Sequence, residues 1–139
     1  MTLSKPKEST RFHRTREDHA SETAEDYVEA IADSQEKPGG CRGSDLAKLF
    51  GVSHVTVSKI LARLQSEGLI DTEPYGPVRL TKDGQALAKR SRERHQTVLQ
   101  FLLTLGVSRS TAEIDSEGIE HHVSDDTLRA FRRFLKKNK

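Results

Sequence analysis

The sequence predicts a mainly α-helical protein with one small β-hairpin, and three observations predict it. Apolar residues recur at helical spacing in separate stretches, as in Val57, Ile60, Leu61 and Leu64. Those stretches are bounded by helix-capping Ser or by breakers, with Gly51, Gly68 and Gly106 the clearest stops. The periodicity changes at one place, where Leu69-Ile70-Asp71 and Val78-Arg79-Leu80-Thr81 flank Pro74-Tyr75-Gly76-Pro77, two short runs around a turn.

In chain order, residues 1–20 mix Lys, Arg, Ser and Thr with few large apolar groups, chiefly Leu3 and Phe12, and are expected to form a flexible tail. A first helix is expected at about 22–36, with Ala24, Tyr27, Val28 and Ile31 on one face and Pro38-Gly39-Gly40 ending it. Ser44 is expected to cap a short helix that runs to Phe50, and Ser53 to cap the next, from about His54 to Glu67. After the hairpin come a long helix at about 82–105 and two more at about 108–122 and 125–137, the last capped by Ser124.

A short helix, a glycine turn, a second helix and a hairpin make the order of a winged helix-turn-helix. Ala47 is small where the second helix packs close, Gly51 suits the turn, and Val57 fills the core beneath both helices. The expected division is therefore a tail (1–20), a winged-helix domain (21–81) and a helical domain (82–139). Placing Val57, Ile60, Leu61 and Leu64 inward puts Val55, Lys59, Ala62 and Ser66 opposite, flanked by Thr56, Ser58 and Arg63. Small, hydrogen-bonding and cationic groups on that face suit a helix entering the DNA major groove. The candidate contacts are Ser53, His54, Val55, Thr56, Ser58, Lys59 and Arg63, with Tyr75 and Arg79 in the hairpin. A winged helix used only for protein contacts is the plainer alternative, and the basic, small-residue face weighs against it.

The net charge of +2 hides segregation: bases gather at Lys82–Arg94 and Arg129–Lys139, acids at Glu17–Asp33 and Glu113–Asp126. Separate potentials of opposite sign suit a protein that meets both a polyanion and a cation, although a solvated surface also clusters its charges. No apolar run approaches the roughly 20 residues of a membrane span, and no secretory signal is legible. The single Cys41 excludes an internal disulfide and suits a cytoplasmic location.

The acidic segments carry a second constellation. Glu117, Glu120 and His121 fall at i, i+3 and i+4, one face of a helix. Asp26 and Glu29 sit at i, i+3 on the first helix, and His95 occupies a position in line with Leu87, Ser91, Val98 and Leu102. Each has an ordinary explanation: a carboxylate pair is usually a solvated face, and a lone histidine usually a satisfied core residue. Brought together, they are four carboxylates and two imidazoles. Such a set is stable chiefly when cations occupy it, and it suffices for two metal ions about 4 Å apart. His122 turns away from Glu117 on the helical wheel, which suits packing or support of the ligands, and Cys41 is expected to be a buried or loop thiol.

With these residues the chain resembles the manganese transport regulator branch of the diphtheria toxin repressor family. The resemblance covers about residues 22–137. It rests on Glu25-Asp26-Tyr27-Val28-Glu29, on Gly51-Val52-Ser53 through Gly68-Leu69-Ile70, on Arg94-His95, and on Glu117-Gly118-Ile119-Glu120-His121-His122. It implies that Asp26, Glu29, His95, Glu117, Glu120 and His121 bind metal, with Glu29 and Glu120 bridging and a Glu117 backbone carbonyl contributing. The iron-selective branch carries a methionine in place of Asp26 and a cysteine in place of Glu117, so the oxygen donors here suit Mn²⁺. The implied protein is a homodimeric, cytoplasmic regulator holding two Mn²⁺ per subunit. It would bind a double-stranded operator, repress manganese uptake genes and, as a further role, activate efflux genes. An iron- or zinc-responsive regulator of the same fold is the main alternative. A di-metal hydrolase is the other, against which stands the lack of a His-Glu-x-x-His run or a separate nucleophile.

Overall fold

The computed structural model describes residues 8–74 and 76–139, and side chains from residue 20 onward. Its elements are α1 (Glu8–Ser34), α2 (Gly43–Phe50), α3 (His54–Ser66), β1 (Ile70–Thr72), β2 (Val78–Leu80), α4 (Lys82–Thr104), α5 (Arg109–Ile119) and α6 (Asp125–Lys137). The strands pair antiparallel, Ile70 opposite Leu80 and Thr72 opposite Val78, so the winged helix-turn-helix and the helical domain after it are both present.

Local capping explains most of the boundaries. The Ser53 and Ser124 hydroxyls accept from the backbone N–H of Thr56 and Thr127, as the sequence led us to expect. Gly51 closes α2 in the left-handed conformation, at φ 64°. Three expectations need correction. First, α1 begins at Glu8, so residues 8–20 are helix where a flexible tail was expected. No proline or glycine interrupts that stretch, and once Ala24–Ile31 is packed, extending the helix upstream needs no new nucleus. Residues 1–7 and Tyr75 lie outside the described residues.

Second, Ser44 lies inside α2 and is not its cap. The carboxylate of Asp45 reaches back to the Arg42 N–H at 3.0 Å and starts the helix at Gly43. Third, α5 stops at Ile119, so Glu120 and His121 stand in the turn that follows it.

The apolar face of α1 belongs to the winged helix. Val28 and Ile31 are fully buried with Leu46, Val57, Leu64 and Ile70, and Tyr27 stacks on Phe50 with ring centroids 4.3 Å apart. Burying these side chains is worth about 1.5–3 kcal/mol each and fixes α1 to α2 and α3. The same α1 lies across α4, and α4 carries α5 and α6. Phe101 of α4 stacks on Phe131 of α6 at 3.9 Å. Cys41 is buried, and its carbonyl accepts from the Val78 N–H at 2.7 Å, extending the hairpin by one bridge. Where the hairpin enters α4, Gly84 lies so close to the Leu69 carbonyl oxygen that a Cβ would stand 2.0 Å from it.

The Tyr27 hydroxyl is buried and without a hydrogen-bond partner. An orphaned polar group of this kind costs about 1–3 kcal/mol. Tyr27→Phe keeps the ring stack and removes the orphan, so thermal stability is expected to hold or rise by a few degrees in calorimetry. A fall of several degrees would mean that the hydroxyl is satisfied after all.

Candidate metal centre and recognition helix

Three elements converge beside the acidic face of α1. That helix presents Asp26 and Glu29, α4 presents His95, α5 presents Glu117, and the following turn presents Glu120 and His121. Glu120 is the centre of the set and 1% exposed. Its Oε2 is hydrogen-bonded to His95 Nδ1, and its Oε1 lies 3.3 Å from His121 Nε2. Asp26 Oδ1 is 3.2 Å from the same Nε2, and Glu117 Oε1 is 3.9 Å from His95 Nδ1. Glu29 shares a cavity of about 300 Å³ with His95 and Glu117, beside the ion pair of Arg92 with Asp33. All six residues singled out from the sequence are thus brought into one neighbourhood.

The electrostatics are those of a site short of positive charge. Burial pushes the Glu120 carboxyl up to about 7, against the pull of His95 and His121. Burial, with Asp26 and Glu117 nearby, also raises Glu29. Burial opposes a charge on His121, yet the Asp26 and Glu25 carboxylates outweigh it and hold that imidazole up to about 10. Glu120 Oε1 is buried without a hydrogen-bond donor. Oxygen and imidazole donors around an unsatisfied carboxylate fit a divalent cation, and the donor set contains no sulfur. Among the described residues, two groups of three donors lie within ligating reach: His95, Glu117 and Glu120, and Glu22, Asp26 and His121.

Three further residues join the site: Glu22, Glu25 and Arg94. Glu22 joins Asp26 and His121, and its Oε2 is 3.3 Å from His122 Nε2, which gives His122 a partner on α1. Glu22, Asp26 and Glu29 follow i, i+4, i+7, a spacing that puts Glu22 on the same helix face. Glu25, 8% exposed, faces His121 Nδ1 at 2.5 Å. Arg94 lies 3.8 Å from Glu25 and donates to the Val123 carbonyl at 2.8 Å. Their pairing has no signal in the spacing.

On the recognition helix α3, Ser53, His54, Val55, Thr56, Ser58, Lys59 and Arg63 are exposed, as is Arg79 on β2. Three members of this set already have partners. The Ser53 and Thr56 hydroxyls hydrogen-bond each other within the cap, and Arg63 pairs with Glu67 at 3.0 Å. His54, Val55, Ser58 and Lys59 form the rest of the open face, with Val55 65% exposed although apolar.

A winged helix joined through a shared helix to a cluster of hard metal donors defines a metal-dependent DNA-binding regulator. Comparison with known proteins agrees. Family models match residues 19–78 as the iron dependent repressor N-terminal DNA binding domain, and residues 81–139 as its metal binding and dimerisation domain. The chain belongs to the iron-dependent repressor family, that of the diphtheria toxin repressor, and is a transcriptional regulator rather than an enzyme. It is 50% identical over 127 residues to the transcriptional regulator MntR of Escherichia coli O157:H7, covering 91% of this chain and 82% of the relative. With the HTH-type transcriptional regulator MntR of Bacillus subtilis it shares 37% over 104 residues, 75% of this chain and 73% of the relative. Among solved structures, a manganese-dependent transcriptional repressor in complex with manganese is similar, at 31% identity and a TM-score of 0.70. The match covers 81% of this chain and 52% of that one. No described helix is long and apolar enough to cross a membrane.

Proposed function

We propose that this chain is a manganese-responsive transcriptional regulator acting as a homodimer in the cytoplasm, one that represses manganese uptake genes by binding a near-palindromic operator. One observation carries the metal part: three carboxylates and two imidazoles from α1, α4, α5 and the turn after it gather about the Glu120 carboxylate, with no thiolate or thioether among them. Hard oxygen donors favour Mn²⁺ over softer ions, which weighs against an iron- or zinc-responsive reading. The manganese regulators among its relatives and structural neighbours support the same choice.

Two ions per subunit are the natural filling. Glu120, a member of one donor group, has one oxygen on His95 and the other 3.3 Å from His121 of the second group, so its carboxylate could serve both ions. Asp26, Glu29, His95, Glu117, Glu120 and His121 would hold them, with Glu22 at the edge. A bound divalent cation supplies the charge that lets these carboxylates stay ionised side by side.

α1 then links metal to DNA. Its acidic face is part of the metal centre, while Tyr27, Val28 and Ile31 on the opposite face are built into the winged-helix core. Asp26 and Glu29 held against α4 and α5 restrict where α1, and hence α3, can sit. Coupling of this kind is typically about 1–3 kcal/mol, or roughly 5- to 150-fold in affinity. We divide the chain near Thr81, where the two family models meet, with α1 serving both parts. The second copy would dock on the exposed Leu105 and Ile114, which are 56% and 73% accessible in the single chain. Ser53, His54, Val55, Thr56, Ser58, Lys59, Arg63, Tyr75 and Arg79 remain the candidate DNA contacts.

The test is an anisotropy titration on a fragment of a manganese-uptake promoter, with Mn²⁺, Fe²⁺ and Zn²⁺ in turn. Mn²⁺ is expected to tighten binding at least tenfold; no response to Mn²⁺ alongside a response to another metal would sink the assignment. The pH dependence has a definite sign. Because His121 must lose its proton to bind metal and Glu120 is held near 7, Mn²⁺ affinity should climb with pH from 6 to 8, about tenfold per unit for each proton displaced. In the metal-free protein the raised His121 contributes stability that is complete below about pH 6.5 and lost as pH rises through about 10. Calorimetric metal titrations at several pH values would expose a flat profile, which contradicts this protonation scheme.

A further inference from the structure

We propose that Glu25 is a positioning residue for the metal centre: it holds the Nδ1–H of His121 so that Nε2 is the nitrogen presented to metal, and Arg94 locks that carboxylate to the loop before α6. The inference rests on the metal-binding reading above and adds to it residues that are not themselves ligands.

The geometry is specific. His121 is buried with its two ring nitrogens in different company: Nδ1 meets Glu25 Oε2 at 2.5 Å, while Nε2 faces Asp26 at 3.2 Å and Glu120 at 3.3 Å. Only the Nε2 side opens on the other donors, so metal loading must vacate Nε2 and leave the proton on Nδ1. A carboxylate accepting that proton fixes the ring plane and makes the imidazole a better donor; loss of such a partner typically lowers metal affinity 10- to 100-fold.

Glu25 has no other reason to be buried. A carboxylate 8% exposed is costly unless paired, and its partners are His121 and the Arg94 guanidinium at 3.8 Å. Arg94 in turn donates to the Val123 carbonyl, immediately before the Ser124 cap of α6. The chain Val123, Arg94, Glu25, His121 therefore connects the start of α6 and the body of α4 to a metal-facing nitrogen. It also accounts for the adjacency of Glu25 to Asp26 and of Arg94 to His95: in each pair one residue is a candidate ligand, while its neighbour supports His121, directly from Glu25 and through Glu25 from Arg94.

The experiment compares Glu25→Leu, Glu25→Gln and Arg94→Met with the unaltered protein by two readouts. The first is the His121 Nδ1–H proton in the metal-free protein, followed by NMR as a downfield, slowly exchanging imidazole signal. The second is Mn²⁺ affinity by calorimetric titration. Glu25→Leu should lose the signal and bind Mn²⁺ 10- to 100-fold more weakly. Glu25→Gln, whose carbonyl still accepts from Nδ1, should keep the signal and recover most of the affinity. Arg94→Met should keep the signal with a smaller loss of affinity. A folded Glu25→Leu with undiminished Mn²⁺ affinity, or one that retains the signal, would overturn the proposal. If Glu25→Leu does not fold, Glu25→Gln decides: a lost signal or an affinity as low as that of a His121→Ala protein overturns it. Failure of the unaltered protein to bind Mn²⁺ would defeat the manganese reading instead, and the NMR signal would still report on the Glu25–His121 bond.

Discussion

Glu120→Gln is expected to abolish the response to Mn²⁺ while leaving the metal-free protein at least as stable as before. The substitution keeps the volume of a side chain that is 1% exposed, so packing is preserved. The amide oxygen can still accept from His95, as the Oε2 of Glu120 does now. What disappears is a buried negative charge that the metal-free protein tolerates poorly, its pKa raised to about 7 by burial. The sign follows: a carboxyl raised above its unfolded value of 4.5 favours the folded state below about pH 4.5, and that contribution is lost as pH climbs through 7. At pH 8 the neutral amide escapes the penalty. The metal-bound protein, by contrast, would lose a donor of the His95–Glu117–Glu120 group that also lies 3.3 Å from His121 of the other group. The melting temperature without metal should hold or rise. Its increase on adding Mn²⁺, and at least tenfold of the metal-dependent gain in DNA affinity, should vanish. An unchanged Mn²⁺ response in melting and anisotropy would remove Glu120 from the site.

Gly84→Ala should cost more stability than any conservative surface change in this protein. The added Cβ would stand 2.0 Å from the Leu69 carbonyl oxygen and 3.2 Å from Leu80 Cδ2. That carbonyl is not free to retreat, because it accepts from the Thr81 N–H at 3.0 Å. Thr81 is itself committed, capping α4 through Gly84 N and donating its hydroxyl to the Gly68 carbonyl at 2.6 Å. Relief of the clash must therefore open the joint between hairpin and α4. Overpacking of a well-filled site costs about 1–3 kcal/mol, and the lost cap and hydrogen bond add to it. The expected result is a melting temperature lower by on the order of 10 °C. A change within two degrees would show that the joint can shift.

Features governed by neighbouring residues were legible in the sequence. Gly51, Ser53 and Ser124 act where expected because caps and turns are decided within one helical turn. The winged helix followed from the inward stripe of Val57, Ile60, Leu61 and Leu64, and the six candidate ligands, which the fold brings into one neighbourhood, from helical spacing joined to family resemblance. The misjudged features each depend on something further away. Residues 8–20 have the composition of a solvated tail, and their helix is decided by the anchored stretch downstream. The spacing of Glu117, Glu120 and His121 reads as one helix face, yet His121 has left the helix to meet Glu25 on α1. Glu25 and Arg94 were invisible because a buried pair looks, in one dimension, like two surface charges.

Cys41 and Met1 are the only sulfur-bearing residues of the chain, and the Cys41 thiol is buried and belongs to neither group of candidate metal donors. Peroxide and related oxidants attack sulfur first, climbing from thiolate to sulfenic acid and beyond. The proposed metal centre, built of carboxylates and imidazoles, would offer such an oxidant no thiolate or thioether to consume.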